Sequence, residues 1–350
     1  MKGKKLFFVI VALLCVMGLS LTAVAGNPEK KGTAGAEELL IPVGARGIAL
    51  GGSPVASING IDAMYWNPAG VANTSQNIET SFSYMNYIAD IGVTNVALAA
   101  KTSMGTLGFS FQSLSFGDIP VTTEDAPNGT GTFYSPTYLT LGATYARAMS
   151  DRIFVGVNAK VISERIMESS GTAFALDMGV QYKTSYGVQL GVVLKNFGSP
   201  LRYAGQDLER QVELPDTPPG SPLRRLTIPG EKFELPSSFE IGLAYEMAPM
   251  EKAKVVFSGT FRNNNFLNDQ ICAGVEADYD NMFFIRAGYD YSMDEGEDIA
   301  GGDTYMFGPN FGFGLLYPVT PTMKMAFDFA YRTTTTYFDN NMIFTAKLMF

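Results

Sequence analysis

The ten residues Met323-Lys324-Met325-Ala326-Phe327-Asp328-Phe329-Ala330-Tyr331-Arg332 decide the fold. Side chains of an extended chain alternate between two faces. Met323, Met325, Phe327, Phe329 and Tyr331 therefore share one side, and Lys324, Ala326, Asp328, Ala330 and Arg332 the other. The first face is greasy, and the second is too polar and too small for the core of a sandwich. The same period sets Ile153, Val155, Val157, Ala159 and Val161 against Phe154, Gly156, Asn158, Lys160 and Ile162. It recurs at Phe239, Ile241, Leu243 and Tyr245.

Working outward, strand cores are expected near residues 77–87, 93–101, 105–116, 137–148, 152–164, 173–183, 186–196, 237–246, 252–262, 269–279, 282–291, 308–317, 322–332 and 341–350. They are fourteen, an even number, and their lengths suit the roughly 9–11-residue spans of a tilted membrane strand. With the N-terminus in the periplasm, every second connection (102–104, 149–151, 184–185, 247–251, 280–281 and 318–321) is short. The opposite set contains the long ones, 117–136, 165–172, 197–236 and 292–307. Short periplasmic turns alternating with longer outer loops are the habit of bacterial outer-membrane barrels. The expected fold is thus an all-β transmembrane antiparallel barrel of about 14 strands over residues 77–350, preceded by a hatch or plug segment at 26–76. A soluble sandwich or secreted solenoid is the competing architecture, but it would have to bury the apolar face on itself.

Composition agrees and narrows the function. The 350 residues hold 25 Phe, 17 Tyr, one Trp, 37 Gly, two Cys and no His, with 17% charged. Without histidine there is no Ser/His/Asp or Cys/His triad, no histidine-ligated zinc and no imidazole acid–base pair. We expect no catalytic residue, no cofactor and no metal site, and hence no enzyme. Residues 1–25 combine Lys2, Lys4 and Lys5 with an apolar run and Ala23-Val24-Ala25, a secretory signal with its cleavage site. Its removal takes away three lysines and Cys15, leaving Cys272 alone and moving the formal charge from −9 to −12. A single thiol forms no intramolecular disulfide, and an acidic chain is a poor partner for nucleic acid.

Residues 26–76 do not alternate. Ala36-Glu37-Glu38-Leu39-Leu40-Ile41 fits one or two helical turns stopped at Pro42, and the passage 44–56 is rich in Gly and Ala, suited to close packing. Asn67-Pro68-Ala69-Gly70 has the residues of a type I turn. The segment reads either as a periplasmic extension or as a plug in the lumen.

The stretch Gly44-Ala45-Arg46-Gly47-Ile48-Ala49-Leu50-Gly51-Gly52, followed by Asp62-Ala63-Met64-Tyr65-Trp66-Asn67-Pro68-Ala69-Gly70-Val71, resembles the N-terminal signature of the PorV/PorQ family of outer-membrane proteins. Leu50 stands where Met is usual and Val71 where Leu is usual. That family is similar in turn to the FadL-like fatty-acid transporters, which share the Asn-Pro-Ala-Gly turn and a fourteen-stranded barrel with an N-terminal hatch. The resemblance implies a docking, shuttle or accessory component in protein secretion across the outer membrane of a Gram-negative-type bacterium. Its alternative implication is a passive channel for uptake of hydrophobic small molecules, in some relatives through an opening in the wall. The last strand, with Phe350, Leu348, Ala346, Phe344 and Met342 on one face, resembles the terminal signal read by the barrel-assembly machinery. The expected partners are that machinery, outer-membrane lipid and lipopolysaccharide, and secreted proteins or hydrophobic small molecules, at the cell outer membrane.

Four further features carry expectations. Lys160, Asp177, Lys195, Glu240, Lys254, Glu276, Arg286, Asp290, Lys324, Asp328 and Lys347 fall on the polar face, where mixed signs suggest paired charges in a wet or plugged lumen. The acidic loop at 293–303 has oxygen ligands dense enough for calcium but lacks EF-hand spacing, so a solvated loop is expected there. The proline-rich loop 197–236 is read as an ordered lid or a holding surface. Cys272, on the polar face without an activating neighbour, is expected to be inert.

Overall fold

Fourteen antiparallel strands carry the alternation. The computed structural model describes residues 30–74, 76–212, 223–293, 305–334 and 338–350. The strands are β1 (Ile78–Asn86), β2 (Gly92–Thr102), β3 (Gly105–Ser115), β4 (Thr137–Ala148), β5 (Ile153–Ile166), β6 (Ser169–Lys183) and β7 (Val188–Gly198). There follow β8 (Ser238–Met250), β9 (Ala253–Asn264), β10 (Gln270–Tyr279), β11 (Phe283–Ser292), β12 (Phe307–Pro318), β13 (Lys324–Thr334) and β14 (Asn341–Met349). Each pairs with its neighbour in sequence, and β14 pairs with β1, so the sheet closes and leaves no free edge.

Closure explains why the greasy face points out. On β13 Phe327 is 51% exposed while the adjacent Asp328 is 6% exposed, and the same contrast runs around the wall. Apolar side chains turned to the outside are stable only if lipid covers them, and the closed ladder pairs the backbone polar groups along the wall. Among the described residues no helix is long and apolar enough to cross a membrane, so the spans are the strands.

The short connections fall at residues 103–104, 149–152, 184–187, 251–252, 280–282 and 319–323, at the end taken as periplasmic. At the opposite end two expectations are corrected. The connection expected at 165–172 is only Met167 and Glu168, because β5 and β6 continue their ladder from Ser163↔Thr172 to Ile166↔Ser169. The ladder there continues beyond the alternating segment, so the backbone groups of these polar residues stay paired with each other. Secondly, β7 runs on to Gly198 through a bulge in which Lys195 and Asn196 together oppose Asp177. Asn196 takes φ 59°, a left-handed conformation that asparagine tolerates, and its backbone N–H donates to Asp177 Oδ1 at 2.8 Å.

The long connection between β7 and β8 is partly folded. Leu201–Gly205 adds to the outer end of β6 and pairs with Lys232–Phe233, and Glu209–Val212 pairs with Arg224–Thr227 in a projecting hairpin. The expected signal at 1–25 and, apart from Met293, the acidic loop at 293–303 lie outside the described residues.

Candidate functional site

Inside the wall lies the segment ahead of β1. It is a chain of short turns: a 3₁₀ turn Glu37–Leu40, an α-helical turn Ala45–Ala49, 3₁₀ turns Pro54–Ala56 and Gly60–Asp62, a helical turn Ala63–Trp66 and a 3₁₀ helix Pro68–Ala72. None is long enough to be stable alone. Their order comes from the wall, which covers Ala45, Ile48, Val55, Ile58, Ala63, Trp66, Ala69 and Val71 almost completely.

The fit depends on residues the wall lacks. At mid-height the inward positions of β5, β6, β7, β8, β10, β11 and β12 include Gly156, Gly179, Gly191, Gly242, Gly274, Gly288 and Gly312. A Cβ at Gly191 would stand 2.6 Å from Val55 O, one at Gly274 2.6 Å from Leu50 O, and one at Gly288 would run into the backbone of Leu50 and Gly51. This girdle lets the plug backbone lie directly on the sheet.

Asn67 anchors the turn expected at 67–70. Its side chain accepts from Ala69 N at 3.2 Å and donates to Val55 O at 2.9 Å and Val180 O at 3.3 Å, while Gly70 N donates to Asn67 O at 3.0 Å. The turn thus forms, extended by Pro68 into the 3₁₀ helix. Trp66 donates from Nε1 to Val43 O at 3.1 Å and covers Gly47, and Lys195 lies 4.1 Å over the Tyr65 ring.

Gly44 precedes the helical turn at φ 82°, and Ala45 N donates to Thr345 Oγ1 on β14 at 3.0 Å. Arg46 forms a fork with Glu276, Nε to Oε2 and Nη2 to Oε1 at 2.9 Å each. Glu276 and Asp328 are joined by Arg286 at 2.6 and 2.5 Å, and Lys347 bridges Asp328 at 2.9 Å and Asp62 at 2.5 Å. Three acids and three bases thus form one chain from plug to wall. Burial works against the charge on Arg46, but the facing Glu276 outweighs it and raises the guanidinium's pKa. Gly51 and Gly52, both at positive φ, end the passage against β11 and Arg262.

The other wall charges are paired as expected: Lys160 with Asp177, Lys195 with Glu240, and Asp290 with Arg332. Lys254 and Lys324 depart from the reading: Lys254 reaches Asn281 near the rim, Lys324 lines the cavity at the short-turn end, and neither takes part in an ion pair among the described residues. Arg262, which grips Glu240 at 2.9 Å, was not among the residues singled out by sequence, nor was Glu164. The inward phase of β9 and β5 would have found both. Cys272 is buried beside Gly52.

Two cavities flank the plug. One of about 550 Å³ opens toward the short turns, lined by Arg46, Asp62, Glu276, Arg286 and Lys347 among others. One of about 620 Å³ faces the outer loops, between Ile41, Trp66, Phe116 and Tyr138 and the charged Lys195, Arg262 and Arg332. On the outside of β2–β7 is a third hollow of about 890 Å³, lined by Phe109, Phe111, Phe174 and Phe197 around the small Ala143 and Ala159. Among the described residues no group of three or more acidic or cysteine side chains is placed to hold a metal ion.

At the seam, Phe350 exchanges backbone hydrogen bonds with Ile78 at 2.8 and 3.2 Å, and Phe344 and Leu348 share its outward phase on β14.

A family model described as type IX secretion system protein PorV matches residues 25–198. No curated protein matches the sequence. Among solved structures, the CymD monoaromatic hydrocarbon channel is similar with a TM-score of 0.55 at 12% identity, over 89% of this chain and 97% of that one. The Pseudomonas putida toluene transporter TodX is similar with a TM-score of 0.56 at 13% identity, over 88% of this chain and 97% of that one. At such identities the likeness carries the fold.

Proposed function

The chain belongs to the PorV family of outer-membrane barrels, and from that premise we propose that it serves protein secretion as a docking or shuttle component, by holding partners rather than by chemistry. The occupied lumen supports this reading most directly. Residues 36–72 are seated on a glycine girdle and tied by buried ion pairs, and no polypeptide passes a barrel so filled. The surface left for a protein client is the outer one. There the hairpin Glu209–Val212 with Arg224–Thr227 exposes Leu226 beside Leu223 and Ile228, apolar groups held on a projecting element.

In this reading residues 1–25 direct export and are removed, the barrel-assembly machinery receives β14 with its terminal Phe350, and the apolar belt sits in outer-membrane lipid beneath lipopolysaccharide. A second reading, a passive channel for hydrophobic molecules, is favoured by one observation: the apolar hollow of about 890 Å³ on the wall. Native mass spectrometry of the protein extracted from its own membrane separates the two. Co-purifying secreted or secretion-system polypeptides are expected; a preparation that carries only hydrophobic small molecules would replace the first reading with the second.

A further inference from the structure

The plug begins at the outer mouth. Gly35 N donates to Glu234 O at 2.9 Å, and Lys30 pairs with Glu234 at 3.4 Å and lies over Phe266, all on outer connections. From there the chain descends through the lumen to start β1 at the opposite end. Residues 30–41 are thus a strap across the mouth, with Ala36 and Leu39 packed on Leu201, Leu235 and Ile162.

Beneath the strap two carboxylates meet. Glu38 is 4% exposed, and neither of its carboxylate oxygens has a hydrogen-bond donor. It lies within hydrogen-bonding reach of Glu164, itself 2% exposed, on β5. The Tyr203 hydroxyl, from the long outer connection, donates to Glu164 Oε2, and Tyr138 of β4 lies within reach of Tyr203. On the strap's own turn the nearby charge is Glu37, and the Tyr65 hydroxyl is turned to Leu39 O at 3.2 Å. Among the described residues neither Glu38 nor Glu164 has an ion-pair partner within 4 Å, in contrast to the paired charges deeper in the lumen. Two buried carboxylates at this separation repel unless one positive charge lies between them, and two carboxylates are too few oxygens for calcium.

We propose that Glu38 and Glu164 share one proton, and that this shared proton is a pH-sensitive clasp joining the N-terminal strap, wall strand β5 and the long outer connection over the mouth. Glu38 donates to Glu164, whose other oxygen accepts from Tyr203. Raising the pH sends the proton to water and leaves two carboxylates that drive the strap off. Burial first, then the facing Glu164, pushes the Glu38 carboxyl well above its ordinary 4.5, so the closed state holds a proton that the hydrated, open state gives up. A raised acid of this kind favours the closed state fully below pH 4.5 and progressively less above it. Within that window the ratio of open to closed rises about tenfold per pH unit.

The test is hydrogen–deuterium exchange of the whole protein in lipid nanodiscs from about pH 5 to about pH 9, corrected for the intrinsic pH dependence of exchange. Protection of residues 30–41 and 199–208 is expected to fall with pH, up to about tenfold per unit. Glu38→Gln, whose amide supplies a donor at every pH, is expected to keep the strap protected throughout, and Glu164→Gln to flatten the pH response. A pH-independent wild type, or a Glu38→Gln variant that follows the wild type, overturns the clasp. Restoration of protection at alkaline pH by added calcium would make the bridging charge a cation and overturn the proton assignment.

Discussion

Asn67 shows how much one side chain carries here. It is fully buried and uses its carbonyl as acceptor and its amide as donor at once, so neither half is dispensable. Asn67→Ala leaves the Ala69 N–H and the Val180 carbonyl without this partner, a loss of about 1–3 kcal/mol. Asn67→Asp keeps the acceptor but sets a carboxylate against the Val55 and Val180 carbonyl oxygens, and is expected to cost more. Urea unfolding in lipid vesicles measures both; equal stability of Asp and Asn at this site would sink the argument. The turn at 67–70 was legible because Pro and Gly occupy positions with fixed backbone demands. Its acceptor on β6, the Val180 carbonyl, was not, because residues 113 apart in sequence meet only once the barrel closes.

The plug and the wall are the elements whose fit decides whether the lumen is open. Their contact is backbone against glycine, so a larger residue has nowhere to go. Gly288→Leu is expected to leave the barrel folded, retaining its heat-dependent gel shift, while unseating the plug. Protease should then cut within residues 30–74, and conductance should appear in planar bilayers where the wild type is silent. Gly108→Ala supplies the contrast, since the close approach of its Cβ is to the flexible end of Met64 at 2.9 Å, with Thr144 Cβ at an ordinary 3.4 Å, and it is expected to stay silent. Conductance from both variants, or from neither, would show that the girdle does not seat the plug. The glycines were visible in sequence on the polar face of their strands. That they share one height requires the register of seven strands.

For the whole molecule the decisive act is closure of β14 on β1. Phe350 supplies the last backbone pairs of that seam, with Ile78 and with Asn77 N at 2.8 Å, and its ring is turned outward. Deleting Phe350 removes these bonds together with an apolar outer group. It is expected to lower the folded fraction after pulse-labelled assembly in cells, whereas Phe350→Trp keeps both features and assembles normally; unimpaired assembly of the deletion would separate the residue from closure. The fourteen strands, their outward faces and the short turns were legible because each depends on local period and turn chemistry. The long β5–β6 hairpin and the bulge at Asn196 were missed because polar sequence above the belt gives no alternation to read. The sequence by itself determined a chain whose strands have one face for lipid and one for water, and which carries no histidine for catalysis. Only the tertiary structure decided that residues 36–72 occupy the lumen from the outer mouth downward, that wall and plug charges cancel in one chain, and that Glu38 and Glu164 face each other with no basic side chain in ion-pair range among the described residues. Those outcomes rest on distances between residues far apart in sequence, which barrel register and closure alone bring within a few ångströms.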